Sequence, residues 1–147
     1  MTTILEFMSV DHDRLDNKIR MYSAEKLVDI EQAERIFLFF KNELERHIIW
    51  EEDILFPVFE KKTGIKDGGP TSVMRTEHTL IKNHLQEIKK ELHAKKIQNP
   101  CKEEVALLKI LESHNQKEEN ILYPGIDDLT SEQEKEQMIK QMSAIEC

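Results

Sequence analysis

The sequence predicts an all-α protein: an antiparallel up-down four-helix bundle with a short fifth C-terminal helix. Apolar residues recur every three or four positions through four long segments, the spacing that lines one face of a helix. Glycine and proline are scarce, four of each in 147 residues, and there is little β-branched alternation of the kind strands show. Four long helices with short connections pack as antiparallel neighbours around one core. An eleven-residue pattern also occurs twice, H-I-I-W-E-E-D-I-L-F-P from His47 to Pro57 and H-N-Q-K-E-E-N-I-L-Y-P from His114 to Pro124. We read it as the mark of an internal duplication.

The first helix is expected from about Thr3 to Tyr22. Its apolar seam is Ile4, Met8, Leu15, Ile19 and Tyr22, with His12 filling the gap in phase. A break at Ser23 to Asp29 leads to the longest pattern: Ile30, Ala33, Phe37, Phe40, Leu44, His47, Glu51, Ile54 and Val58. The strict three-four alternation places His47 and Glu51 at core positions of the second helix, where Pro57 either kinks the chain or begins the last turns. Thr63-Gly64 and Gly68-Gly69-Pro70 mark the next connection.

A third helix is predicted from Pro70 to Ile97, with Met74, His78, Ile81, Leu85, Ile88 and Leu92 on one face. Asn99-Pro100 starts a fourth, in which Leu107, Leu111, His114, Glu118, Ile121 and Gly125 repeat the seam of the second. Thr130-Ser131 offers an N-cap to the short last helix, about residues 130–145, whose Met138, Met142 and Ile145 would cover one end of the bundle or meet another subunit. The whole chain, 1–147, reads as one domain whose halves span about 3–62 and 70–127. His12 precedes His47 by 35 residues and His78 precedes His114 by 36, so each half contributes one His from its first helix and a His plus Glu from its second.

The six residues His12, His47, Glu51, His78, His114 and Glu118 therefore fall on inward faces of four helices. In H-x-x-x-E the two side chains lie one helical turn apart on the same face, close enough to share a ligand. A single such pair is ordinarily an exposed pair or a hydrogen-bonded core histidine. Six together are different, because burying two unpartnered carboxylates costs several kcal/mol each, to order of magnitude. A bound cation relieves that cost. Imidazole and carboxylate without thiolate suit iron, manganese or zinc, and six side chains exceed what one tetrahedral zinc uses. Two metal ions, each with about two His and bridged by Glu51 and Glu118, use every donor and leave positions for solvent or a small molecule.

Composition excludes other classes. A formal charge of −8 argues against nucleic acid as the main partner. No apolar run approaches the roughly 20 residues of a membrane span, and the start of the chain lacks the features of a secretory signal, so a soluble cytoplasmic protein is expected. Cys101 and Cys147 are isolated and form no C-x-x-C pattern, so neither a thiolate metal site nor a disulfide framework is suggested. No Ser/His/Asp arrangement or nucleotide fingerprint stands out, and no catalytic residue is assigned. E-x-x-H pairs, on which ferritin-like carboxylate oxidases are built, are absent.

The motifs His12, His47-x-x-x-Glu51, His78 and His114-x-x-x-Glu118 resemble the hemerythrin-like (HHE cation-binding) family over about residues 3 to 127. The resemblance implies a four-helix bundle holding two iron ions, oxo- or hydroxo-bridged, with zinc or manganese as possible substitutes. Oxygen-carrying members have H-x-x-x-H on the third helix, where this chain has Lys82. They also have H-x-x-x-x-D on the fourth, where it has Glu119, with Glu118 one residue earlier. Seam phase and the match with Glu51 favour Glu118 as the ligand. The pattern is closer to repair-of-iron-centres proteins. It implies a small diatomic or peroxide ligand, or iron storage and donation to an acceptor protein; a homodimer is also compatible. One His fewer than in the oxygen carriers leaves one iron more open.

Lys82 is expected to point outward or to pair with a carboxylate behind the ligands. Glu52, Glu77 and Glu119 are candidates for such carboxylates, although solvent-facing charges are the default reading. His84 and His93 miss the seam and are read as surface residues. Trp50 is read as packing or a dimer contact. Tyr22 and Tyr123 lie too far along their helices to be placed as ligands.

Overall fold

The computed structural model describes residues 2–96 and 101–146, and every regular element among them is helical. Helix α1 (Ile4–Glu25) is capped by Thr3, whose side chain accepts from the Glu6 N–H. Asp29 caps α2 (Ile30–Trp50) in the same way. A π-helical turn, Glu51–Leu55, continues α2 into α3 (Phe56–Thr63), which ends on Gly64 at φ 72°, the left-handed conformation glycine adopts without strain. Helix α4 covers Pro70–His93 and α5 covers Lys102–Lys117. A second π turn, Glu118–Leu122, leads into α6 (Tyr123–Leu129), and α7 (Glu132–Ser143) starts from a reciprocal capping box between Ser131 and Glu134. No helix among the described residues is long and apolar enough to cross a membrane.

Helix α1 packs along α2, α4 packs along α5, and α2 also faces α4. Two apolar clusters fill the interior. One gathers Leu15, Ile19, Phe37, Phe40, Leu85 and Leu107 with their neighbours; the other gathers Met8, Trp50, Phe56, Met74, Leu122 and Met138 with theirs. The six seam His and Glu residues are all buried, at 3 % exposure or less. In each of the four contributing segments they lie between a residue of one cluster and a residue of the other: Met8 and Leu15, Leu44 and Leu55, Met74 and Ile81, Leu111 and Leu122. A polar layer thus sits between two apolar ones.

The expected seam holds through α1, α4 and most of α2, then changes phase. Ile54 is only partly buried whereas Leu55 and Phe56 are fully buried; Ile121 is 62 % exposed whereas Leu122 and Tyr123 are buried. The cause is the π turn. The N–H of Phe56 bonds the Glu51 carbonyl and that of Tyr123 bonds the Glu118 carbonyl, each five residues back, so one extra residue is absorbed and the inward face advances by one position. Pro57 and Pro124, which lack an N–H, directly follow these turns, where the ordinary ladder is already interrupted.

Other boundaries also differ from expectation. The third helix ends at His93, and Ala94 and Lys95 leave it, Lys95 at φ 57°. The predicted Ile97 end and the Asn99-Pro100 start lie outside the described residues, as does Cys147. Met138 and Met142 of α7 are buried, and Ile145 packs against them partly covered. Trp50 is packed, not surface-presented: its ring lies 5.4 Å from Phe7 and beneath the Arg46 guanidinium.

The phase shift makes a direct prediction. Leu122→Ala should destabilise the metal-free protein by about 2–5 kcal/mol, whereas Ile121→Ala should stay within about 0.5 kcal/mol of wild type. Urea unfolding of the two variants separates them; equal losses would show that the inward face is misassigned.

Candidate metal centre

Each imidazole of the polar layer turns Nε2 inward and Nδ1 outward. His78 Nε2 lies 3.1 Å from Glu51 Oε1, and His114 Nε2 lies 3.1 Å from Glu118 Oε2. His12 Nε2 is 3.3 Å from Glu118 Oε1 and His47 Nε2 is 3.7 Å from Glu51 Oε1. The donor atoms form two groups, Glu51–His78–His114–Glu118 and His12–His47–Glu118. Within each group every pair of donors is at most 4.8 Å apart, and Glu118 belongs to both. All six sequence-predicted site residues are therefore brought together. Of the two acidic neighbours, Glu118 is the one inside; the Glu119 side chain is about a third exposed.

The outward nitrogens are held by carboxylates. His47 Nδ1 bonds Asp11 Oδ2 at 2.7 Å, His78 Nδ1 bonds Glu52 Oε2 at 2.8 Å, and His114 Nδ1 bonds Glu77 Oε1 at 2.8 Å. Such bonds fix the tautomer with Nδ1 protonated and leave Nε2 free to bind a cation. Glu52 and Glu77 thus depart from the solvent-facing reading, and Asp11 joins them. The signal for Asp11 was its equivalence to Glu77, since each immediately precedes a seam His.

Cations hold these carboxylates charged. Burial pushes the Asp11 pKa up, but the His47 bond and the Arg14 guanidinium bring it below its ordinary value. Burial also acts against Glu77, and its bonds with Lys117 and His114 overcome it. Glu52 is lowered chiefly by its bond to His78, with the charges of Lys82 and Arg75 adding to it. Lys82 itself is exposed. Glu119 is the exception to the pattern: its Oε1 stands 3.7 Å from His12 Nδ1, and that buried nitrogen has no hydrogen-bond partner.

The inner groups are electrostatically unbalanced. Burial and the neighbouring Glu118 charge raise the Glu51 pKa. Burial would raise Glu118 too, but its bond with Glu51 and the neighbouring His114 and His12 imidazoles drive it low. Burial disfavours the His78 imidazolium, yet its bonds to Glu51 and Glu52 push its pKa up to about 9. With the His114 proton on Nδ1, the Nε2 that lies 3.1 Å from Glu118 Oε2 presents a lone pair, so that buried oxygen has no hydrogen-bond donor. An orphaned, fully buried carboxylate oxygen among convergent Nε2 atoms fits a cation.

A family model of the hemerythrin HHE cation-binding domain matches residues 3–126. The chain belongs to the hemerythrin HHE family. No curated protein and no solved structure matches it. Metal binding, typically of iron, goes with a hemerythrin domain, and the His and Glu clusters supply donors able to hold a metal.

One residue at the centre of this hemerythrin domain departs from expectation. Tyr123 is fully buried with its hydroxyl among the inner donors, donating to Glu51 Oε2 at 2.7 Å and lying 3.0 Å from Glu118 Oε1. An unbroken α-helix would have turned it away from Glu118; the π turn places residue 123 over residue 118. The repeated F-P and Y-P dipeptides were visible in the sequence, but nothing in the periodicity announced the turn. In the first copy Phe56 stands at the same offset and stacks on His78, ring centroids 5.6 Å apart. His84 pairs with Glu103 and His93 is exposed, both apart from the centre.

Removing a supporting carboxylate should weaken metal without removing a ligand. Glu77→Gln and Asp11→Asn are each expected to lower metal affinity about 10–100-fold, and Glu119→Gln to lower it less. Competition against a chromophoric chelator measures all three; an equal loss for Glu119→Gln would contradict the unsupported position of His12.

Proposed function

We propose that this protein binds two iron ions between the helices of an antiparallel four-helix bundle, in a single domain over 1–147. There the irons bind or react with a small ligand, oxygen, nitric oxide or peroxide, in cytoplasmic sensing or stress defence. The observation that carries this reading is the sharing of Glu118 between two donor groups. His12 and His47 would hold one ion, His78 and His114 the other, and Glu51 and Glu118 would bridge them. The up-down arrangement is supported by the order of the clusters along the chain. α1 and α4 run from the Met8 and Met74 cluster past their histidines to the other, and the α2 and α5 segments run back.

Bound iron would supply a redox-active Lewis acid. The protein's part is to hold imidazole Nε2 atoms inward through Asp11, Glu52 and Glu77, and to flank the centre with two apolar clusters. The position that carries a histidine in oxygen carriers is the exposed Lys82, so the set contains one imidazole fewer. That supports a reading of reaction at an open iron over reversible carriage, in a chain of the repair-of-iron-centres type.

A second reading, iron storage or donation to an acceptor protein, is favoured by one feature. A groove of about 480 Å³ between α1 and α5 reaches His12 and is lined by Asp13, Asp16, Glu112 and Glu119. These four carboxylates outnumber the one guanidinium in the groove, Arg20, and would attract a cation toward the unsupported imidazole.

The protein loaded anaerobically should hold two irons per chain, and its optical spectrum should change on exposure to oxygen, peroxide or nitric oxide. An unchanged spectrum with all three counts against the first reading. Faster transfer of labelled iron to an apo iron-sulfur protein than from free iron would favour the second. His47→Ala and Glu51→Ala should each lose metal, and unchanged stoichiometry by elemental analysis would overturn the ligand assignment.

A further inference from the structure

The Tyr123 hydroxyl has more polar neighbours than a phenol can serve. Besides Glu51 Oε2 and Glu118 Oε1 it lies 3.3 Å from both His12 Nε2 and His47 Nε2. A phenol has one proton to donate. With both carboxylates ionised and both Nε2 atoms presenting lone pairs, that one proton meets only one of the four acceptors around it.

The same distances have a simple origin in coordination geometry. Nitrogen and oxygen donors bind first-row metals at about 2.0–2.2 Å, so two donors at right angles on one ion lie roughly 3 Å apart. The four separations from the Tyr123 oxygen run from 2.7 to 3.3 Å and involve both histidines of one group together with both bridging carboxylates. The other group has no counterpart. Phe56 occupies the equivalent place against His78 and brings no oxygen.

We propose that Tyr123 is the fifth protein donor to the metal held by His12, His47, Glu51 and Glu118, and that the metal held by His78 and His114 keeps the corresponding position for an external ligand. The proposal rests on the two-metal reading above. On coordination the hydroxyl proton leaves for the buffer and an oxygen lone pair forms the bond to the metal; no electron is transferred in that step. The two halves of the site then divide the work, one metal closed by a phenolate and the other open beside an apolar ring.

Phenolate bound to ferric iron gives a visible charge-transfer band, and Raman excitation within it enhances phenolate ring modes. The chain has two tyrosines, so Tyr22→Phe is the matched control. Wild type, Tyr22→Phe and Tyr123→Phe are loaded with ferrous iron without oxygen, counted for iron by elemental analysis, then oxidised. Wild type and Tyr22→Phe should show the band and the ring modes, and Tyr123→Phe should retain iron but show neither. Should Tyr123→Phe fail to load, the band in Tyr22→Phe still assigns the phenolate to Tyr123. Iron-loaded wild type without the band, or Tyr123→Phe with it, overturns the proposal and leaves the two-metal reading standing. Wild type that binds no iron overturns both.

Discussion

The structure depends on keeping Glu51 and Glu118 fully buried at the centre of an otherwise apolar interior. Two carboxylates out of water cost several kcal/mol each, to order of magnitude, unless positive charge and hydrogen bonds meet them. The helices answer that constraint layer by layer. Four imidazoles face the carboxylates, anionic side chains face the imidazoles from behind, and Arg14, Lys117 and the Lys82 and Arg75 charges face those anions in turn. Charge alternates outward until it reaches solvent. Apolar clusters above and below leave the central layer no other route to neutrality than its own partners or a cation.

Much of this was legible in the sequence because helices report their buried face through spacing. His12, His47, His78 and His114 stood in apolar seams, and seams are buried whatever packs against them. The choice of Glu118 over Glu119 followed from the same phase. What spacing could not report was a change of pitch. Past Glu51 and Glu118 the seam reading named Ile54 and Ile121 in place of Leu55 and Leu122, and it turned Tyr123 away from the site it enters. The π turns carry no composition of their own; only the prolines just beyond them hint that the regular ladder is interrupted. Glu52 and Glu77 were named only as candidates and Asp11 was passed over for another reason: a carboxylate one residue from a seam reads like any charge on a solvated face.

The two halves agree closely until the last aromatic residue. Asp11 supports His47 as Glu77 supports His114, within each half, whereas Glu52 supports His78 and Glu119 approaches His12 from the opposite half. The repeat therefore accounts for both the inward donors and the carboxylates that orient them. Where it fails, at Phe56 against Tyr123 and at the longer Glu119 to His12 distance, the two sides of the centre acquire different polarity and support. An asymmetric pocket can bind an asymmetric ligand in one orientation, which a perfectly repeated one cannot.

Trp50 packs against Phe7 and lies with its ring 6.0 Å from that of His47. It is the chain's single tryptophan, so the protein's indole emission arises entirely beside one pair of candidate donors. An iron ion on His47 would quench that light and its departure would restore it. Packing that fills the space behind His47 thereby gives the molecule an internal lamp, read from outside without any added label, whose brightness would report whether a metal ion is held there.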